Sequence, residues 1–441
     1  MGFIDGLTVV LVIFEGIIHS APTSDFKKYQ LPLPDDLTQE ICNYLDFPTI
    51  RNVARSGIFS ETDVVVSRKL ENCIIRIMPY EYDVISECCE CGDLFMHFGY
   101  SKELEQFFEY FGDQIIKKYA KNFEELQVNL MSNDRGFWEA ISDGEDGIIF
   151  PEVKKFQLLG DSIREKFELN LIFPKLESLE LIGTVDDENC LANVKTLKEL
   201  KLNCYCMKED QLDHIFKNNQ NMTRLQLENS NRVNTMQSME KYLKKLETLA
   251  VIEPGECFFL RTNNNRVYEL PSVIHFHIEL YEMYERILID DLSFYMNRLK
   301  KLTLIGIRTD ERIINFIKHF KKLETVELFV REYDGVTCIG ELKHIKEFAT
   351  TFHENGFVSV ENILKTFDEE SELQILKFVD YDNVLFRNYE KAMKEINEDK
   401  MKEINNHLKE SRKSTWTLSS YGLQIGTPRK YLKFERKPCK C

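Results

Sequence analysis

The sequence predicts an α/β solenoid, short parallel strands backed by outer helical segments, and three observations predict it. An apolar triplet recurs at positions n, n+3 and n+5. Its copies follow one another at a nearly constant spacing, and polar, helix-forming stretches separate them. The copies are Phe123/Leu126/Val128, Val153/Phe156/Leu158, Leu176/Leu179/Leu181, Leu197/Leu200/Leu202 and Met222/Leu225/Leu227. They continue as Leu246/Leu249/Val251, Val273/Phe276/Ile278, Leu299/Leu302/Leu304, Leu323/Val326/Leu328 and Leu373/Leu376/Phe378.

The central members are separated by between 21 residues (Leu179 to Leu200) and 30 residues (Leu126 to Phe156). The last step, Val326 to Leu376, is 50 residues, so a degenerate copy is expected near Ile345 to Phe352. A period in the twenties with an L-x-x-L-x-L core is the leucine-rich-repeat signature. On a strand, n+3 and n+5 point the same way, and n anchors the turn that leads in. The expected architecture is a horseshoe with a parallel concave sheet and outer helices. Helices are predicted over Asp210–Lys217, Thr235–Lys244, Asp290–Asn297, Asp310–His319 and Val360–Phe367. Each unit covers its neighbour's open core, so stability is nearest-neighbour and cooperative.

The array divides the chain into an apolar leader and linker (1–30), a small helical segment (31–70), a transition or cap (71–119), the repeats (120–381) and a C-terminal helix with cap or tail (382–441). In the transition, Cys73–Ile77 and Leu94–Phe98 read as strands and Lys102–Ile116 as a helix. After the array, Asn388–Ser411 reads as a charged helix and Trp416–Phe434 as a β-rich cap, since a solenoid needs polar ends.

Composition narrows the function. The 441 residues carry a formal charge of −16, which opposes the basic footprint that a general nucleic-acid binder needs. The 12 cysteines are too few for a disulfide scaffold, and Cys42, Cys73, Cys190 and Cys257 sit at apolar positions as small buried hydrophobes. Neither Cys88/Cys89/Cys91 nor Cys204/Cys206 has zinc-finger spacing. Nucleophile-elbow, phosphate-loop, zincin and dinucleotide motifs are missing from the sequence, so no enzyme and no cofactor are expected. Leu7–Phe14 is an apolar run of signal-core length, but Asp5 and Glu15 flank it and the basic n-region is missing. The run is too short to span a bilayer, and no membrane association is expected. Cytoplasmic or nuclear location is expected, with secretion through residues 1–21 as the alternative.

A target would meet the strand residues that flank the inward pair. On the expected concave face these are Glu180, Lys201, Arg224, Gln226, His275, His277, Lys301, Thr303 and Glu327. The row is polar and mixed in sign, with no evident apolar pocket, which suits a folded protein better than a lipid. His275 and His277 would sit side by side; no third ligand is legible, so surface histidines are expected rather than a metal site.

The helical segment reads Leu33-Pro34-Asp35-Asp36-Leu37-Thr38-Gln39-Glu40-Ile41-Cys42-Asn43-Tyr44-Leu45-Asp46-Phe47. It resembles the F-box family, which opens on Leu-Pro-acid and reaches a Tyr-Leu-polar-aromatic junction. The next helix departs from the family at Val53–Ile58, where its Cys and Trp are replaced. The resemblance implies a substrate-recognition subunit of an SCF-type E3 ubiquitin ligase. Leu33, Pro34, Leu37, Ile41, Leu45 and Ile50 would contact a Skp-type adaptor of the cullin ligase core, and the repeats would hold an unknown protein target. The alternative is a non-ligase repeat module for protein binding.

Overall fold

The computed structural model describes residues 75–80, 84–87, 94–99, 120–130, 148–160, 168–182, 190–203, 207, 209–230, 235–254, 268–280, 294–306, 311–329, 342–351, 372–379, 402, 405–406, 416–423 and 430–436. The leader, the whole of 31–70 with its six expected adaptor contacts, and the helices expected over Lys102–Ile116 and Val360–Phe367 lie outside them. The chain forms two compact units, Met1–Leu202 with Cys206–Gln211, and Asn203–Tyr205 with Leu212–Cys441. The division falls within the expected array.

In the first unit the strands are β1 (Ile75–Tyr80), β2 (Val84–Glu87), β3 (Leu94–Gly99), β4 (Glu125–Leu130), β5 (Lys155–Gly160), β6 (Ser178–Ile182) and β7 (Glu199–Asn203). They lie in the order β2-β3-β1-β4-β5-β6-β7. All neighbours are parallel except β2 with β3. The expected strands at 73–77 and 94–98 are present as β1 and β3, shifted by one to three residues at their ends; β2 was not foreseen. A one-turn helix, α1 (Leu169–Ile172), backs β6 and was also unforeseen.

The second unit contains β8 (Arg224–Glu228), β9 (Thr248–Ile252), β11 (His275–Glu279), β13 (Lys301–Ile305), β14 (Thr325–Phe329), β15 (Glu347–Thr351) and β16 (Ile375–Val379), parallel and in that order. Then β18 (Lys430–Arg436) and β17 (Trp416–Leu423) close it antiparallel, giving the expected β-rich cap. The degenerate copy is β15, whose Ile345, Phe348 and Thr350 are buried in the three pattern positions.

The other triplet side chains from Phe123 to Leu376 are buried as well, and burial alternates along β6, β7 and β9 as period two requires. A fourth buried position, n−3, accompanies them: Phe150, Phe173, Leu243, Leu270, Met296, Phe320 and Leu342. Its carbonyl accepts the N–H of residue n, closing a tight turn that delivers each strand in the same orientation; Leu246 N to Leu243 O is 3.2 Å and Leu323 N to Phe320 O is 3.1 Å.

One backbone rung then repeats within each unit. The carbonyl at n+1 accepts both the n+1 and n+2 N–H groups of the following copy. Glu124 O accepts Lys154 N at 2.8 Å and Lys155 N at 3.2 Å, and Ile274 O accepts Lys300 N at 2.8 Å and Lys301 N at 3.0 Å. The bond needs only backbone, which is why copies as different as 273–278 and 345–350 share the same rung within one unit.

The outer segments are partly helical. α2 (Glu209–Asn218) buries Leu212, Ile215 and Phe216, α3 (Thr235–Tyr242) buries Met236 and Met239, and α4 (Glu311–Lys318) buries Ile313 and Ile317. These are one-stripe amphipathic helices, and they match the expected ones within two residues. Asp213 joins two of them, accepting hydrogen bonds from Ser238 Oγ (2.7 Å) and Tyr242 Oη (3.5 Å). The helix expected over Asp290–Asn297 is a correction. Phe294–Tyr295 is a short strand, β12, parallel to β10 (Tyr268–Glu269), and a turn follows it. Two adjacent aromatic residues favour extended backbone over a helical surface.

Candidate functional site

The strands present their outward positions in rows set by the register. In the first unit the middle row runs Arg76, Gln127, Gln157, Glu180, Lys201. Glu180 and Lys201 are neighbours and form a 2.7 Å ion pair, each roughly one-third exposed. The row before it contains Glu125 and Lys155, paired at 3.3 Å, and Ser178 with Glu199. Unlike charges directly opposite on parallel strands stabilise the sheet slightly while keeping both groups at the surface.

In the second unit the middle row is Gln226, Ala250, His277, Thr303, Glu327, Ala349, Lys377. The predicted residues fall into two groups. In one, Lys301 pairs with Glu327 at 2.7 Å and Thr303 Oγ1 donates to the same carboxylate at 2.7 Å. Thr303 is only 5% exposed, so it braces Glu327 rather than offering a contact, which corrects its expected role. In the other, Gln226 Nε2 donates to Glu228 at 2.8 Å and His277 Nε2 lies 3.6 Å from Glu279. His275 and Arg224 are exposed at the first position of their strands. His275 and His277 share the face as expected. Among the described residues no group of three side chains could hold a metal.

Sequence reasoning missed a third outward row, at n+6. It reads Glu228, Ile252, Glu279, Ile305, Phe329 in register. The missed signal was strand length: each strand runs one residue past n+5, and alternation returns that residue to the outward face. The row adds apolar residues to a face read as polar and mixed in sign. Ile305, Phe329, Ala349 and Val379 form a buried cluster on the polar side of the sheet. In the second unit this cluster interrupts the polar face over β13 to β16.

Acids gather at the start of that row. Glu253 follows β9 with φ +48°, next to Glu228 and Glu279. Burial pushes its carboxyl above the usual range, and the charges of Glu228 and Glu279 push in the same direction. Asn229 and Gly306 occupy the corresponding position after β8 and β13, also left-handed. At Gly306 a Cβ would lie 1.9 Å from the carbonyl oxygen of Leu280, so only glycine fits.

No protein-family model matches the chain, and no curated protein matches it. No helix among the described residues is long and apolar enough to cross a membrane. What can be said of this face therefore rests on its geometry. In each unit it is a mixed-charge surface on a hydrogen-bonded sheet, with polar groups braced in pairs.

Proposed function

We propose that this chain is a substrate receptor of a cullin-type ubiquitin ligase, in which leucine-rich repeats display their outward strand rows to a protein target. The observation that carries the binding half is the repeated polar row on identical strand modules. A backbone ladder that does not depend on side chains leaves Glu180, Lys201, Arg224, Gln226, His275, His277, Lys301 and Glu327 available for recognition. Paired charges on a flat sheet suit a folded partner with complementary polar groups.

The ligase half is supported by the F-box resemblance of Leu33–Phe47. The two short amphipathic helices expected there would bury too little surface to fold alone, and an adaptor would supply the missing partner. Leu33, Pro34, Leu37, Ile41, Leu45 and Ile50 are the adaptor contacts in this reading. Co-purification of the full chain with a Skp-type adaptor tests it. The native chain is expected to retain the adaptor through gel filtration, and Leu33→Ala/Pro34→Ala/Ile41→Ala to lose it. A native chain that recovers no adaptor defeats the ligase half. A chain exported through residues 1–21 would instead show an intact mass short of that segment.

A further inference from the structure

Among the described residues, β17 ends the second unit's sheet and β18 is its one strand neighbour. At eight residues it is the longest strand among those described. A long strand with one unpaired side is a template for another chain. We propose that Asn405 is an edge latch that holds the outer side of β17 closed against strand addition by a second copy of this chain.

Sidedness carries the first step. Arg436 N donates to Gln374 O at 3.0 Å, on the β16 side. Backbone groups alternate sides along a strand, so Phe434, two residues earlier, also faces β16. Leu418 lies opposite Phe434. It is therefore in a non-hydrogen-bonded pair, and its own N–H and C=O face away from β18, toward the open side.

Asn405 occupies both of those groups. Leu418 N donates to Asn405 Oδ1 at 2.9 Å, and Asn405 Nδ2 donates to Leu418 O at 3.4 Å. A primary amide has one acceptor and one donor side, the pattern that an incoming strand residue would present. Asn405 thus imitates one residue of a neighbouring strand and ends the ladder there.

A second observation points the same way. The β17–β18 register shifts between Leu418 and Ser420, and Ser419 Oγ donates to Lys433 O at 3.1 Å. The bulge immediately follows the latched residue. Bulges and capped edges are both devices that prevent sheet-to-sheet association. The occupant kept out is a second copy, because β17 can pair antiparallel with its own equivalent about a two-fold axis, which needs no other partner.

The test compares the full-length native chain, Asn405→Ala and Asn405→Asp by residue-resolved hydrogen exchange and sedimentation velocity. In the native chain the Leu418 amide is expected to exchange slowly, and in Asn405→Ala at least about tenfold faster. Asn405→Ala is expected to approach about twice the native mass as concentration rises. Asn405→Asp keeps the acceptor and adds an edge charge, so it is expected to stay protected and at the native mass. Folded Asn405→Ala with unchanged Leu418 exchange, or with native mass at every concentration, overturns the proposal. Should Asn405→Ala not fold, the remaining pair decides: an unprotected Leu418 amide in the native chain, or self-association of Asn405→Asp above the native mass, overturns it.

Discussion

The two compact units share one backbone module and fill it differently. In the first, the corners Phe150 and Phe173 stand between the aliphatic corners Ala120 and Val194 and carry stacked rings: Phe150 on Phe123 at 5.8 Å, Phe173 on Phe150 at 5.5 Å, and Phe156 on Phe173 at 4.6 Å. In the second, the corresponding corners are mostly aliphatic, with Asn219, Leu243, Leu270, Met296 and Phe320. Outward, the first unit's middle row is polar throughout, whereas the second includes alanines and a buried apolar cluster. The comparison separates what the repeat needs from what each copy is free to change. Turn closure and the n+1 carbonyl rung are common to both units; corner chemistry and the outward rows are not.

The largest effect is expected where the corner stack is removed. Phe173→Ala takes away a ring that touches two others and is expected to cost about 3–5 kcal/mol in denaturant unfolding. Exchange should accelerate in β5 and β6. An equal loss from Leu243→Ala, an aliphatic corner in the second unit, would erase the distinction drawn between the units.

Next comes Gly306→Ala, where the new methyl meets the Leu280 carbonyl in a left-handed backbone. A loss of about 1–3 kcal/mol is expected, and a thermal melt matching the native one would contradict the close approach. Thr350→Val is expected to stabilise by about 1 kcal/mol, because Thr350 stands in an inward position and its hydroxyl has no hydrogen-bond partner among the described residues.

The smallest effect depends on pH. The Glu253 carboxyl is raised in the folded state from a reference of 4.5, so folding favours its protonated form. That contribution is fully present below the unfolded value and is lost as pH rises through the folded one. Glu253→Gln is therefore expected to melt slightly above the native chain at neutral pH, with the difference shrinking below about pH 4. A constant difference across that range would remove the acidic cluster from the account.

Much of the strand array was legible because the inward triplet is a packing requirement that the sequence must state at every copy. The degenerate copy near Ile345 to Phe352 was expected from a doubled gap alone. The outer segments were less legible, since a connection needs only to span and cover: Phe294–Tyr295 forms a strand where helical spacing was read. The n−3 corner was overlooked because its residues range from Ala120 to Phe320 and share burial, not type. On the face, the rows n+2 and n+4 followed from alternation. Thr303 could not be recognised as a brace, because its role depends on where Glu327 lies one strand away. Asn405 could not be found from sequence at all, as its partner Leu418 is set by the closing of the cap.

The proposed function requires two surfaces, an adaptor-binding segment near residue 33 and a target-binding face that includes β13 and β14. One affinity purification reads both when the full chain is compared with Leu33→Ala/Pro34→Ala/Ile41→Ala and with Lys301→Glu/Glu327→Lys. The account predicts that the first variant loses the Skp-type adaptor and keeps its other bound proteins, while the second keeps the adaptor and loses at least one of them. Recovery of the same proteins by all three chains, or no adaptor with the native one, would contradict it.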